Sequence, residues 1–289
     1  MGYDSPLRTQ YHMSTLASQQ QSAIVDDEQR TPPQWLLIAL GTLYVVALSI
    51  LLFAPGGTVI ERLRALDAGI CAQLPTHSFY PGGQRLPLCA RNTGIYLGFS
   101  IGVLLFFAQR RWRSMVLPTG WVGALLLGGI ALMGIDGVNS LFVDLHLPHL
   151  YAPNNLLRLA TGLLTGTAMA AFLVPVVNSV LWRDHDPRPM YPTLQRLAIV
   201  LPLLLLAFFG VASRWGLLLY PIALLSSAGV VVALSLINLT FVLAFSGRVE
   251  HYTRPIQAAP IFTVAMILAV SELIGLFFLN HALLATIGA

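Results

Sequence analysis

The sequence predicts an all-α, polytopic membrane protein of about seven transmembrane helices plus a short interfacial amphipathic helix. Three observations predict it. Of the 289 residues, 56% are hydrophobic and only 10% are charged, whereas a soluble domain carries about 25% charge. Mean hydropathy is +0.74. The apolar residues also fall in blocks near the ~20 residues that cross a hydrocarbon core of ~30 Å. A water-facing surface cannot be built from such a chain, which excludes a soluble enzyme, a disordered regulator and a sequence-specific nucleic-acid binder.

There are 16 basic and 12 acidic residues, a net charge of +4. Every basic residue is Arg. Without Lys there is no Schiff-base amine and no Walker-type phosphate loop. Four net charges on a membrane protein serve orientation and contact with lipid headgroups. Membrane lipids are therefore expected partners, and nucleic acid is not.

Residues 1–34 form a polar N-terminal tail with Gln19-Gln20-Gln21 and Asp26-Asp27-Glu28. No apolar core follows a basic start, so no cleaved secretory signal is expected. Pro6 occupies the hydroxyl position of a myristoylation signal that Met1-Gly2 would need. The transmembrane domain takes 35–289. Its spans are read at 35–53, 94–108, 117–135, 155–177, 197–211, 217–245 and 258–285, the sixth bent near Pro221. The tail and the even-numbered connections hold ten Arg and the other side six. Positive charge gathers in the cytoplasm. This reading puts the chain in the cytoplasmic membrane, N-terminus in the cytoplasm and C-terminus outside.

Residues 57–93, between the first two spans, are more than a loop. Val59, Ile60, Leu63, Leu66 and Ile70 recur at helical spacing, with Glu61, Arg62, Arg64 and Asp67 between them. This pattern predicts a helix lying in the interface, apolar face down. Cys71-Ala72-Gln73 and Thr76-His77-Ser78-Phe79 follow, then Cys89-Ala90-Arg91-Asn92-Thr93-Gly94-Ile95-Tyr96. The third connection offers Asp136, Asn139, Asp144, His146 and His149, and the fourth span opens on Asn155 and Arg158. A seven-span topology brings all of these to one surface. Polar groups near membrane depth are costly unless paired.

These residues resemble an uncharacterised family of bacterial and archaeal membrane proteins, a domain of unknown function. Its pattern runs Cys-His-Gln, Arg-Ser-Phe, Cys-Ala-Arg-x-Thr-Gly-Ile-Tyr-x-Gly, Asp-Gly and Asn-x-x-Arg-x-x-Thr-Gly. The likeness covers about 65–170. Ala72 stands at the family's His and His77 at its Arg. A second resemblance is to the seven-span accessory polypeptide of reaction-centre–light-harvesting complexes in filamentous anoxygenic phototrophs. It implies a place beside the antenna ring, with bound lipid, quinone, carotenoid or bacteriochlorophyll at subunit interfaces.

Cys71 and Cys89 could be a structural disulfide, two buried free thiols, or metal ligands with His77. A spacing of 18 and the lack of a ready fourth ligand disfavour zinc, and no metal site is assigned. Arg91, Asp136, Asn155 and Arg158 could bind an anionic headgroup or form an internal ion-pair network. Gly94, Gly98 and Gly102, with Gly162 and Gly166, permit close helix approach inside the bundle or against a partner. Glu272 within the seventh span is either a proton or cation relay or a carboxyl held by a neighbour such as Ser235 or Asn238. His281 could face a pigment or quinone. Arg110, Arg111 and Arg113 read as an anchor at anionic headgroups.

The titratable residues make no complete acid–base or nucleophile set, so no catalytic residue is assigned. The leading reading is a non-enzymatic accessory subunit of a larger membrane assembly, with other transmembrane subunits as partners. The alternatives are a membrane enzyme or carrier acting on a lipid or quinone headgroup, and a proton or ion translocator using Glu272.

Overall fold

A computed structural model describes residues 32–53, 55–184 and 186–287. Among them the regular structure is helical. Helix α1 spans Gln34–Phe53, α2 Val59–Asp67, α3 Ala90–Ala108, α4 Gly120–Asp144, α5 Asn155–Leu181, α6 Leu194–Ala198, α7 Leu201–Ala212, α8 Leu219–Ser246 and α9 Pro255–Ile287. Seven stretches are long and apolar enough to cross a membrane, with α6 and α7 together making the fifth.

Several features differ from the sequence reading. The third span runs on to Asp144, so Asp136, Asn139 and Asp144 lie on helix α4 rather than in a connection. The fifth span breaks after Ala198 because Pro202 has no N–H to offer the preceding turn. Pro221 sits in the first turn of α8, where its missing N–H costs no hydrogen bond.

The centre of the bundle is the α3–α5 pair. A Cβ on Gly94 would strike the Leu159 carbonyl, and Gly98, Gly162 and Gly166 likewise lie against the facing backbone. The glycine ladders are therefore internal packing surfaces. Helix α8 closes on α3 where Gly229 meets the Tyr96 carbonyl. Helix α4 joins α5 through Gly129, whose carbonyl accepts the Thr165 hydroxyl at 3.3 Å. Helix α1 is peripheral, held by a Tyr44–Thr263 hydroxyl contact of 2.9 Å and by Arg62 on the Leu51 carbonyl at 2.8 Å.

Helix α2 begins with a capping box. The Thr58 hydroxyl accepts the Glu61 N–H at 3.3 Å, and Glu61 accepts the Thr58 N–H at 2.7 Å. Its buried stripe is Ile60, Leu63 and Asp67. It packs on α8 and α9, so its apolar face meets the protein. At the opposite end of the bundle, Arg113 lies over the rings of Trp112 and Trp182, 4.4 and 4.8 Å from their centroids. Its guanidinium also donates to the Thr253 carbonyl at 2.6 Å. This Arg is tied into the bundle rather than free to follow headgroups.

Candidate functional site

The loop after α2 returns over the bundle and delivers Cys89 as the N-cap of α3. That places Arg91 in the first turn of α3, facing the last turns of α4 and the start of α5. Arg91 Nη2 donates to Asp136 Oδ2 at 2.5 Å, to the Asp136 carbonyl at 3.2 Å and to Ser140 Oγ at 3.1 Å. The other Asp136 oxygen accepts the Tyr151 hydroxyl at 2.9 Å. Asn139 stitches down the same connection, accepting the Leu150 N–H at 2.8 Å and donating to the Tyr151 carbonyl at 2.9 Å. Burial, then the bond to Asp136, holds the Tyr151 hydroxyl above its ordinary pKa.

Arg158 is differently placed. It is only 6% exposed. Its nitrogens reach Asn155 Oδ1 at 3.0 Å, His77 Nε2 at 3.1 Å and Ser140 Oγ at 3.4 Å. Among the described residues no carboxylate comes within ion-pair range of it, and its Nε has no partner. Burial, then the Arg158 charge, pushes the His77 pKa down, so the ring accepts from Arg158 as a neutral imidazole. Asp144 stands 3.8 Å from that ring. Asn155 bonds the Thr76 carbonyl at 3.0 Å, tying the returning loop to α5. Arg91, Asp136, Asn155 and Arg158 thus converge in one network at one end of the bundle. His77 belongs to this network through its bond to Arg158.

Cys71 and Cys89 are neighbours in space and both are free thiols. The Cys89 N–H donates to Cys71 Sγ at 3.3 Å. Hydrogen bonds from the Cys89 thiol and N–H, from Gln73 and from Asn92 favour the Cys71 thiolate, pulling its pKa down against the opposing effect of burial. The hydrogen bond between the two thiols, with burial, pushes Cys89 up. Among the described residues no three His, Cys, Asp or Glu side chains converge as a metal-binding group.

Glu272 lies on the exposed side of α9 and accepts Asn238 Nδ2 at 3.1 Å. His281 falls in α9, but its side chain is outside the described residues, as is nearly all of the 1–34 tail.

Sequence reasoning passed over four participants: Ser140, Tyr151, Ser227 and the role of Asp67. Asp67 is 0% exposed. Its Oδ2 accepts the Ser227 hydroxyl at 2.6 Å, and its Oδ1 has no partner. Burial, then the nearby Cys71 charge, raises its pKa to about 7 against the pull of the Ser227 bond. The signal was present: positions 60, 63 and 67 share one helical face.

Residues 71–172 match a family described as "Predicted membrane protein (DUF2085)". That stretch contains Cys71, Cys89, Arg91, Asp136, Asn155 and Arg158. An uncharacterized protein of Methanocaldococcus jannaschii is 26% identical over 121 residues, covering 42% of this chain and 72% of that protein. No solved structure matches the chain.

Proposed function

We propose that the protein is an accessory subunit of a larger membrane assembly, joined to a neighbouring helix through the exposed side of α9. The observation that carries this reading is Glu272. Its carboxyl is exposed within the apolar length of the seventh span, with Asn238 beside it. Intramembrane carboxyls almost always face a bundle interior or water, because acyl chains offer them nothing. Ser271 is exposed next to it, and nothing lies within 4 Å of a Cβ placed on Gly275. Small residues four apart let another backbone approach closely. The phototroph resemblance supplies one setting, a reaction-centre–antenna complex in which the protein would shape the antenna ring and the quinone route. In that setting quinone, carotenoid or bacteriochlorophyll would sit at subunit interfaces.

The test is a photo-crosslinking residue at position 275 in native membranes, with position 206 as control, because Leu206 is 71% exposed on α7. The expected result is a discrete protein adduct at 275 and lipid adducts at 206. Lipid adducts at both would overturn the reading. Loss of proton flux in liposomes on Glu272→Gln, with the fold intact, would favour the translocator instead.

A second reading is favoured by Arg158. A buried guanidinium whose partners are Asn155, His77 and Ser140 leaves a positive charge that an anionic lipid or quinone-site headgroup could neutralise. Arg158→Met that folds normally but loses co-purifying anionic lipid would support this reading. Loss of folding alone would make the network structural.

A further inference from the structure

We propose that Cys71 and Cys89 are the reacting dithiol of a thiol–disulfide exchange centre at this end of the bundle, acting on aliphatic disulfides and thiols. The sequence separation of 18 closes completely in the fold: the N–H of one cysteine donates to the sulfur of the other at 3.3 Å. These are the two cysteines of the chain. They differ in access, Cys71 being buried and Cys89 partly exposed. Leu88, Val230 and Leu273 enclose Cys71. The pair lies outside the spans, on the side that the Arg distribution assigns to the exterior, where disulfides persist.

This asymmetry divides the labour. In the oxidised form an incoming thiolate attacks the sulfur of Cys89, the partly exposed residue of the pair. The Cys71–Cys89 bond breaks and Cys71 leaves as a thiolate. Its leaving is eased by the Cys89 N–H and by the Gln73 and Asn92 donors that favour the charged sulfur. A second substrate thiolate then attacks the substrate sulfur of the mixed disulfide and releases Cys89. Disulfide plus two substrate thiols give dithiol plus one substrate disulfide, two electrons passing to the protein. The reverse run oxidises the dithiol with a substrate disulfide.

Asp67 positions a proton for the buried sulfur. It lies one turn before Cys71, whose N–H donates to the Asp67 carbonyl at 3.2 Å. Its carboxylate is fully buried with one oxygen free. Its carboxyl contacts the Ser227 hydroxyl of α8, and Tyr96 of α3 and the Cys71 thiol are near enough to act on it electrostatically. From α9, Leu273, Leu276 and Asn280 meet this segment, and none is charged. When the Cys71 thiol closes on a mixed disulfide at Cys89, Asp67 is placed to take its proton.

The test uses the full chain in detergent micelles, equilibrated with reduced and oxidised glutathione, acid-quenched and labelled with a polymer maleimide. The expected result is one reversible change from two labelled thiols to none as the oxidised share rises. Cys71→Ser should trap glutathione on Cys89. Cys89→Ser should react at least ~10-fold more slowly, because access limits exchange. The proposal fails if both thiols stay free at every ratio. It fails equally if the disulfide resists dithiothreitol until the protein is denatured, which marks a structural staple. For Asp67, the rate of disulfide closure in the wild type should rise across neutral pH. Asp67→Asn should flatten that rise. Should that variant misfold, Ser227→Ala, which removes a bond favouring the charged carboxylate, should move the rise to higher pH. An unchanged profile in both variants would strip Asp67 of this role.

Discussion

Arg91 and Asp136, 45 residues apart in sequence, meet at 2.5 Å, and that contact fastens the first turn of α3 to the final turns of α4. Asp136 is 1% exposed. Arg91→Met would leave its carboxylate buried with Tyr151 alone, and such half-broken pairs cost about 3–5 kcal/mol. Replacing both, as Arg91→Met with Asp136→Leu, should recover most of the loss. Reversible unfolding in mixed micelles measures both. Equal losses in the single and double variants would mean that the ion pair is not what fastens these helices.

The glycine seam makes a sharper prediction. Gly166→Ala drives a methyl group into the Ile95 carbonyl, a backbone atom that cannot rotate away. Overpacking of this kind costs at least about 1–3 kcal/mol, and the α3–α5 pair should separate or the protein fail to accumulate. Gly128→Ala, with nothing within 4 Å of the new methyl, should be neutral. Yield of monodisperse protein and its midpoint of thermal unfolding distinguish the two.

Asp67 should make stability depend on pH. Its carboxyl holds a proton more tightly folded than unfolded, the pKa rising from 3.8 to about 7. Stability is then greatest below about pH 4, declines as pH climbs to about 7, and levels off above, a total of about 4 kcal/mol. Asp67→Asn should remove that decline and be the more stable protein at pH 8. Unfolding curves from pH 4 to 8 report the slope directly, and parallel curves for the two proteins would refute the assignment.

At the other end of the bundle, Asn178 donates to the Trp112 and Ser114 carbonyls at 2.9 and 2.8 Å and accepts the Trp182 indole N–H at 3.0 Å. Asn178→Leu removes the bonds to the Trp112 and Ser114 carbonyls and to the Trp182 indole, and a buried polar group left unsatisfied costs about 1–3 kcal/mol. A loss of several kcal/mol is expected, with a changed Trp emission as the two indoles shift. Unaltered emission and stability would mean that the clamp is idle.

The spans and the convergence of Arg91, Asp136, Asn155 and Arg158 were legible because apolar length and helix alternation are local properties of the sequence. The end of the third span was not. Asp136 and Asn139 look like loop residues in a string, yet their partners Arg91 and Tyr151 let the helix continue through them. The partner of Asp67 was illegible for a related reason. Ser227 lies 160 residues away, and no local pattern joins them. The choice between internal and external use of the glycine ladders also needed three dimensions, since spacing alone fits both.

Helix α1 holds a further lesson, about the order in which the protein is made. Its hydroxyl partner at Thr263 is synthesised 219 residues after Tyr44. During translation this segment therefore enters the bilayer long before that contact with α9 can form. It must be content among acyl chains by itself, and its 20-residue stretch without a charged side chain equips it for that wait. This helix works as a pioneer that later helices join, rather than as a stone in their arch.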